Sequence, residues 1–159
     1  MIQRIQSIFL ALVAVCMIMV VALPIWDKTD TQNMQNMHLN AFSLTYTQGN
    51  KTVEANSATA IYIAILAIIV FAISVFSIFS FKNRILQMKL GMANSMTMLV
   101  LMVVNVLTIY KAEKIFNETQ KGDFSFGFWA IVAGILFNIA ANFFIRKDQK
   151  LVESSNRMR

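Results

Sequence analysis

Between Arg4 and Asp27, Glu54 and Lys82, Lys89 and Lys111, and Asp123 and Arg146, the chain carries no charged side chain. Crossing roughly 30 Å of hydrocarbon at about 1.5 Å per residue takes about 20 residues. Each stretch is long enough, and in lipid a helix pairs every backbone amide internally. The pattern predicts transmembrane helices over 5–23, 58–81, 90–110 and 126–145. The implied fold class is an all-α membrane protein, a single four-helix bundle. Its 57% hydrophobic and 14% charged residues, with a mean hydropathy of +0.60, agree with a chain whose solvent is largely lipid.

A basic residue before an apolar run also describes a signal peptide, and Val20 and Ala22 form a weak cleavage motif. The run is longer than the usual apolar core of such signals, so the first helix is expected to be an uncleaved anchor. The net charge of +6 is unevenly placed. Arg4, the loop over 82–89 with Lys82, Arg84 and Lys89, and the tail over 146–159 with Arg146, Lys147, Lys150, Arg157 and Arg159 are opposed only by Asp148 and Glu153. In the loops over 24–57 and 111–125, Lys28, Lys51, Lys111, Lys114 and Lys121 are outweighed by Asp27, Asp30, Glu54, Glu113, Glu118 and Asp123. The positive-inside rule then predicts both termini and the 82–89 loop in the cytoplasm of a multi-pass membrane protein. The excess charge accordingly points to lipid headgroups and not to nucleic acid.

Interfacial anchors are expected at Arg4, Trp26, Trp129, Arg146 and Lys147. Pro24 disfavours α geometry at Leu23 and so ends the first helix. In the long outer loop, the segment 27–36 reads as a polar run. Phe42, Leu44 and Tyr46 then alternate with Ser43, Thr45 and Thr47, and Gly49-Asn50 supplies a turn, which predicts a small β-hairpin within 39–55. The 82–89 connection contains no strong breaker and can extend either neighbouring helix. Residues 111–114 read as further helical turns before a break at Gly122. The tail puts Leu151, Val152, Ser155 and Met158 broadly on one helical side, as in a helix lying on the inner leaflet, the alternative being a short disordered tail.

Unpaired carboxamides are costly in hydrocarbon. Asn94 and Asn142 lie at matching depths from the same membrane face, which predicts a hydrogen bond between the third and fourth helices; Asn138 is one turn deeper. Asn105, near the outer end of its helix, is too far from Asn138 to pair with it. Ala130 and Gly134 form a small-x-x-x-small pair suited to a close crossing. Ala60, Ala64, Ala67, Ser74, Ser77 and Ser80 give the second helix small contact positions. Met88, Met92 and Met96 recur four apart, with Met98 and Met102 nearby; without histidine or cysteine in that span, packing is the expectation, not soft-metal binding.

Little catalytic chemistry is legible. The spans hold no Asp, Glu, Lys, Arg or His, which disfavours an ion-coupled pump. Cys16 is the sole cysteine and His38 the sole histidine, so neither a disulfide nor a metal site is expected. No serine has a candidate base within its own element. No phosphate-binding or dinucleotide motif occurs. Neither enzymatic activity nor a cofactor is expected.

The opening Met1-Ile2-Gln3-Arg4-Ile5-Gln6-Ser7, the Leu23-Pro24-x-Trp26 exit from the first helix, and the tail Arg146-Lys147-Asp148-Gln149-Lys150-Leu151-Val152 followed by Ser154-Ser155-Asn156-Arg157-Met158-Arg159 resemble features of domain-of-unknown-function family 4293, four-helix inner-membrane proteins of Bacteroidota. The resemblance runs the full length. It implies a bacterial inner-membrane location and one four-helix unit, with no established activity, cofactor or catalytic residue. The layout also resembles claudin-type architecture geometrically, without the paired cysteines. The leading expectation is an accessory or assembly subunit binding another integral membrane protein, with Leu151, Val152 and Arg157 as cytoplasmic contacts. The rival is a small transporter or lipid-binding protein using the face of Asn94, Asn138 and Asn142. The first predicts a packed centre and an apolar lateral patch, the second a continuous cavity.

Overall fold

The computed structural model describes residues 2–30, 35–48, 51–54, 57–80, 83–115 and 122–157; for 2–4, 30, 35, 48, 51–54, 57–59, 84, 115 and 152–157 it describes the backbone alone. Four helices, α1 (Ile2–Ala22), α2 (Ser57–Phe79), α3 (Arg84–Ile115) and α4 (Phe126–Arg157), carry windows long and apolar enough to cross a membrane. They pack in a ring in which α1 touches α2 and α4, and α3 touches α2 and α4.

Two helices outrun the expected spans. At 32 residues each, α3 and α4 measure about 48 Å, well beyond a hydrocarbon core. At its start, α3 is capped by Asn83, whose side-chain Oδ1 accepts from Leu86 N at 3.2 Å and whose backbone carbonyl accepts from Gln87 N at 3.0 Å. The helix therefore begins at Arg84 and not near residue 90. Nothing in 146–157 breaks α4, so the tail continues that helix.

The outer loop departs most from expectation. It forms β1 (Trp26–Asp30), β2 (Gln35–Leu39), β3 (Leu44–Gln48) and β4 (Lys51–Glu54), and the next loop adds β5 (Asp123–Phe124). The sheet is antiparallel throughout, in the order β4-β3-β2-β1-β5. The expected hairpin corresponds to β3 and β4, whose turn residues Gly49-Asn50 lie outside the described residues. The polar run instead supplies β1 and β2, and Phe42 belongs to a turn before β3.

Register fixes how the sheet stands on the bundle. Trp26 pairs with Leu39 on one side and Phe124 on the other, while Leu39 pairs with Leu44. Ile25 N donates to Leu39 O at 2.8 Å, Ser125 N to Ile25 O at 3.0 Å and Gly127 N to Pro24 O at 2.9 Å. The last two bonds staple the exit of α1 to the entrance of α4. Gly127 is required there, because a Cβ would lie 2.7 Å from Pro24 O and 3.1 Å from Leu23 O.

The core is continuous from bundle to sheet. Val13, Met17 and Val20 of α1, Ile63 and Val70 of α2, Met98 and Leu101 of α3, and Ile131 of α4 join Ile25, Trp26, Met37 and Leu39 in one cluster. Within lipid such contacts act through close packing and not through removal of water; only the sheet end gains the usual hydrophobic term. Trp26 is 0% exposed and its indole lies against Gly122, so the expected headgroup anchor is instead a core residue. The sheet folds over it.

Candidate functional site

Gln87, Gly91, Asn94 and Ser95 fall on one face of α3 by their spacing of three and four, and that face turns into the bundle. Facing it are Ser74 and Ser77 of α2, Asn138 and Asn142 of α4, and Gln6 of α1. Gln6, Ser74, Ser77, Gln87, Asn94 and Asn138 are all buried.

These groups hydrogen-bond in two layers. In the first, Asn94 Nδ2 donates to Asn138 Oδ1 at 3.0 Å and to Ser74 Oγ at 3.1 Å, joining α3 to α4 and α2. The Ser95 hydroxyl is the hub of the α3–α4 seam: it accepts from Asn138 Nδ2 at 2.8 Å and Asn142 Nδ2 at 2.9 Å, and donates to Gly91 O at 3.0 Å. Asn142 Nδ2 also reaches Gly91 O at 3.2 Å. In the second layer, towards the chain termini, Gln6 Nε2 donates to Gln87 Oε1, and Gln87 Nε2 to Ser77 O, both at 3.3 Å. The two layers tie together all four helices.

The expected Asn94–Asn142 bond is therefore displaced by one turn: Asn94 meets Asn138, and Asn142 meets Ser95 and Gly91. Asn105 is buried with neither amide atom hydrogen-bonded among the described residues. Ser74, Ser95, Gln6 and Gln87 were not anticipated as members. A signal existed in the i, i+4, i+7, i+8 spacing of Gln87, Gly91, Asn94 and Ser95, a polar stripe within an apolar helix.

Other candidate residues distribute around this seam. Ala130 and Gly134 are buried, and a Cβ at Gly134 would lie 3.0 Å from the methyls of Met17 and Met98 and 3.5 Å from Cys16 Cβ, so α4 crosses α1 closely. Phe9 of α1 stacks on Phe144 of α4 with ring centroids 5.5 Å apart. Because the polar stripe takes the inward face of α3, Met92 and Met96 point outward and are exposed, whereas Met98 is in the core. Trp129, Arg146, Lys147 and Leu151 are exposed. The side chains of Arg4, Val152 and Arg157 lie outside the described residues.

The α3–α4 seam opens sideways. Beside the hydrogen-bonded layer is a groove of about 330 Å³, lined by Ser95, Met98, Leu99, Met102, Val103, Ile135, Asn138 and Ile139. The polar atoms at its floor are engaged with one another, so it presents an almost wholly apolar wall. A smaller groove of about 230 Å³ lies between α1 and α2, beside Met17, Ile18, Ala67 and Phe71.

At the sheet, the Asp27 carboxylate lies between two groups: His38 Nδ1 at 2.6 Å and the Ser125 hydroxyl, which donates to it. Activating a serine requires the imidazole between hydroxyl and carboxylate. Here the carboxylate is in the middle, and the arrangement instead joins β1, β2 and the start of α4. Among the described residues no three acidic, histidine or cysteine side chains cluster as metal ligands.

The chain belongs to the family described as Domain of unknown function (DUF4293), whose family model matches residues 2–158. No curated protein matches it in sequence.

Proposed function

We propose that this chain is a non-enzymatic accessory or assembly subunit that binds another integral protein of a bacterial inner membrane through the apolar groove between α3 and α4. The termini and the 82–89 connection face the cytoplasm in this reading, because the excess of basic side chains is at that end.

The observation that carries it is the contrast between centre and flank. Gln6, Gln87, Asn94 and Asn138 are buried and hydrogen-bonded across the four helices, while the α3–α4 flank holds a shaped apolar groove. Transport of a polar solute needs a polar passage through the bundle; recognition of another helix needs an apolar surface with relief, where close packing supplies the energy. Leu99 and Val103 at the groove rim are 61% and 49% exposed, available to a neighbouring helix. The tail extension of α4, with Leu151, Val152 and Arg157, supplies a second contact on the cytoplasmic side. Ser95 and Asn138 line the groove floor, and the alternative is a lipid or small solute bound there, in a lipid-binding protein or small transporter.

A photocrosslinking residue placed at Leu99 or Val103 in native membranes tests the proposal. It is supported by a discrete adduct with a second membrane protein that is missing when the probe is at Ile8, on the outward face of α1. Adducts with lipid alone point to the alternative reading, and adducts only with a second copy of the chain contradict both.

A further inference from the structure

Strand β1 leaves α1 and runs away from the bundle, and β2, antiparallel to it, runs back. At Leu39 the returning strand stands opposite Trp26, and its carbonyl is bonded to Ile25 N at 2.8 Å. The chain does not turn there. It continues to Asn40, whose N–H donates to Ser43 O at 2.9 Å across a tight turn, and re-enters the sheet at Leu44. At about 3.3 Å per extended residue, the tip of this turn lies roughly 5–7 Å past Leu39 towards the bundle. That is level with the last turn of α1, which still carries the Leu23 N to Met19 O bond at 2.9 Å.

The tip is sorted by side. Leu39, Ala41 and Leu44 are buried against the core at 0–3% exposure, while Phe42 between them is 51% exposed. Phe124, Phe126 and Trp129, at the neighbouring entrance to α4, are exposed in the same way at 50%, 76% and 59%. Aromatic rings displayed together at the end of spanning helices suit the layer between headgroups and acyl chains. A phenyl ring exposed to bulk water on a four-residue turn would forfeit that gain.

We infer that the turn 40–43 is a membrane-dipping finger: Phe42 inserts into the interfacial layer of the leaflet on the sheet's side, its partner there being bilayer lipid. The sheet is then held upright by two attachments, its covalent and hydrogen-bonded root at Pro24–Trp26 and this finger. The far ends of the strands, Asp30 with Gln35 and Gln48 with Lys51, stand off in water.

Site-directed spin labelling of the full chain in lipid nanodiscs tests this, with Cys16→Ala removing the native thiol. Nitroxides at Phe42→Cys and at Thr29→Cys, an exposed position on β1, are compared for collision with oxygen, which partitions into lipid, and with a water-soluble nickel complex. Expected is a sign reversal, with oxygen favoured at 42 and the nickel complex at 29. Preference for the nickel complex at both positions overturns the inference, and so does low collision with both reagents at 42, which marks burial against protein. If the labelled variant misfolds, Phe42→Trp in a Trp129→Phe background serves instead: brominated acyl chains should quench emission beyond that of Trp129→Phe alone, and no added quenching overturns the inference.

Discussion

The Asn94 amide on α3 donates to Asn138 Oδ1 on α4 at 3.0 Å while also donating to Ser74 Oγ on α2 at 3.1 Å. One carboxamide thus fixes three helices in rotation as well as in depth. Where apolar side chains have nothing to gain by leaving lipid for one another, such directional contacts decide which faces meet.

Asn94→Leu and Asn138→Leu should each destabilise the bundle by about 1 kcal/mol, in line with interhelical hydrogen bonds measured in bilayers. The double variant should lose less than the sum of the two, because both remove the same bond. Unfolding in bicelles, read as a double-mutant cycle, checks this; strict additivity would mean that the contact contributes nothing.

Gly127→Ala should cost roughly 1–3 kcal/mol, since its Cβ meets the Pro24 and Leu23 carbonyls, which cannot move without breaking the α1–α4 staple. Gly134→Ala meets chiefly the methyl ends of Met17 and Met98, which can swing away, and should cost well under about 1 kcal/mol. Thermal unfolding of the two purified variants compares them, and equal losses would contradict the staple.

Ser125→Ala removes the hydroxyl donated to Asp27 and should loosen the second loop without unfolding the helices. Hydrogen exchange should quicken at Ser125 and Gly127, whose amides bond to Ile25 O and Pro24 O, and remain unchanged in the centre of α1. Unchanged exchange at both amides would show that the backbone staple holds without Asp27.

Trp26 should be shielded from water. In Trp129→Phe protein the remaining indole should emit at short wavelength and resist aqueous acrylamide, since Trp26 is 0% exposed. Ready quenching would return it to the surface.

The helices were legible because hydrocarbon tolerates no unpaired charge, so the gaps between Arg4 and Asp27 or Asp123 and Arg146 mark spans without further information. Their ends were less so. Depths measured from expected span ends placed Asn94 opposite Asn142, but α3 starts at Arg84 under its Asn83 cap, and the true register brings in Asn138. The sheet was the least legible part. Strands such as Trp26–Asp30 carry no apolar alternation, and β5 is two residues long. What makes them strands is pairing with segments up to 98 positions away, as from Trp26 to Phe124. Trp26 reads as an interfacial anchor in the sequence for the same reason: only the assembled sheet covers it.

Four membrane crossings with the sheet wholly on one side can be read out by labelling single cysteines in intact and permeabilised spheroplasts, again with Cys16→Ala. Cysteines at Thr29 and Asp123 probe the sheet side, and those at Asn83 and Lys150 the opposite side; all four positions are exposed. An impermeant maleimide should label positions 29 and 123 in intact spheroplasts, and 83 and 150 only after permeabilisation. Labelling of all four from outside, or of 29 and 83 from the same side, would contradict that arrangement.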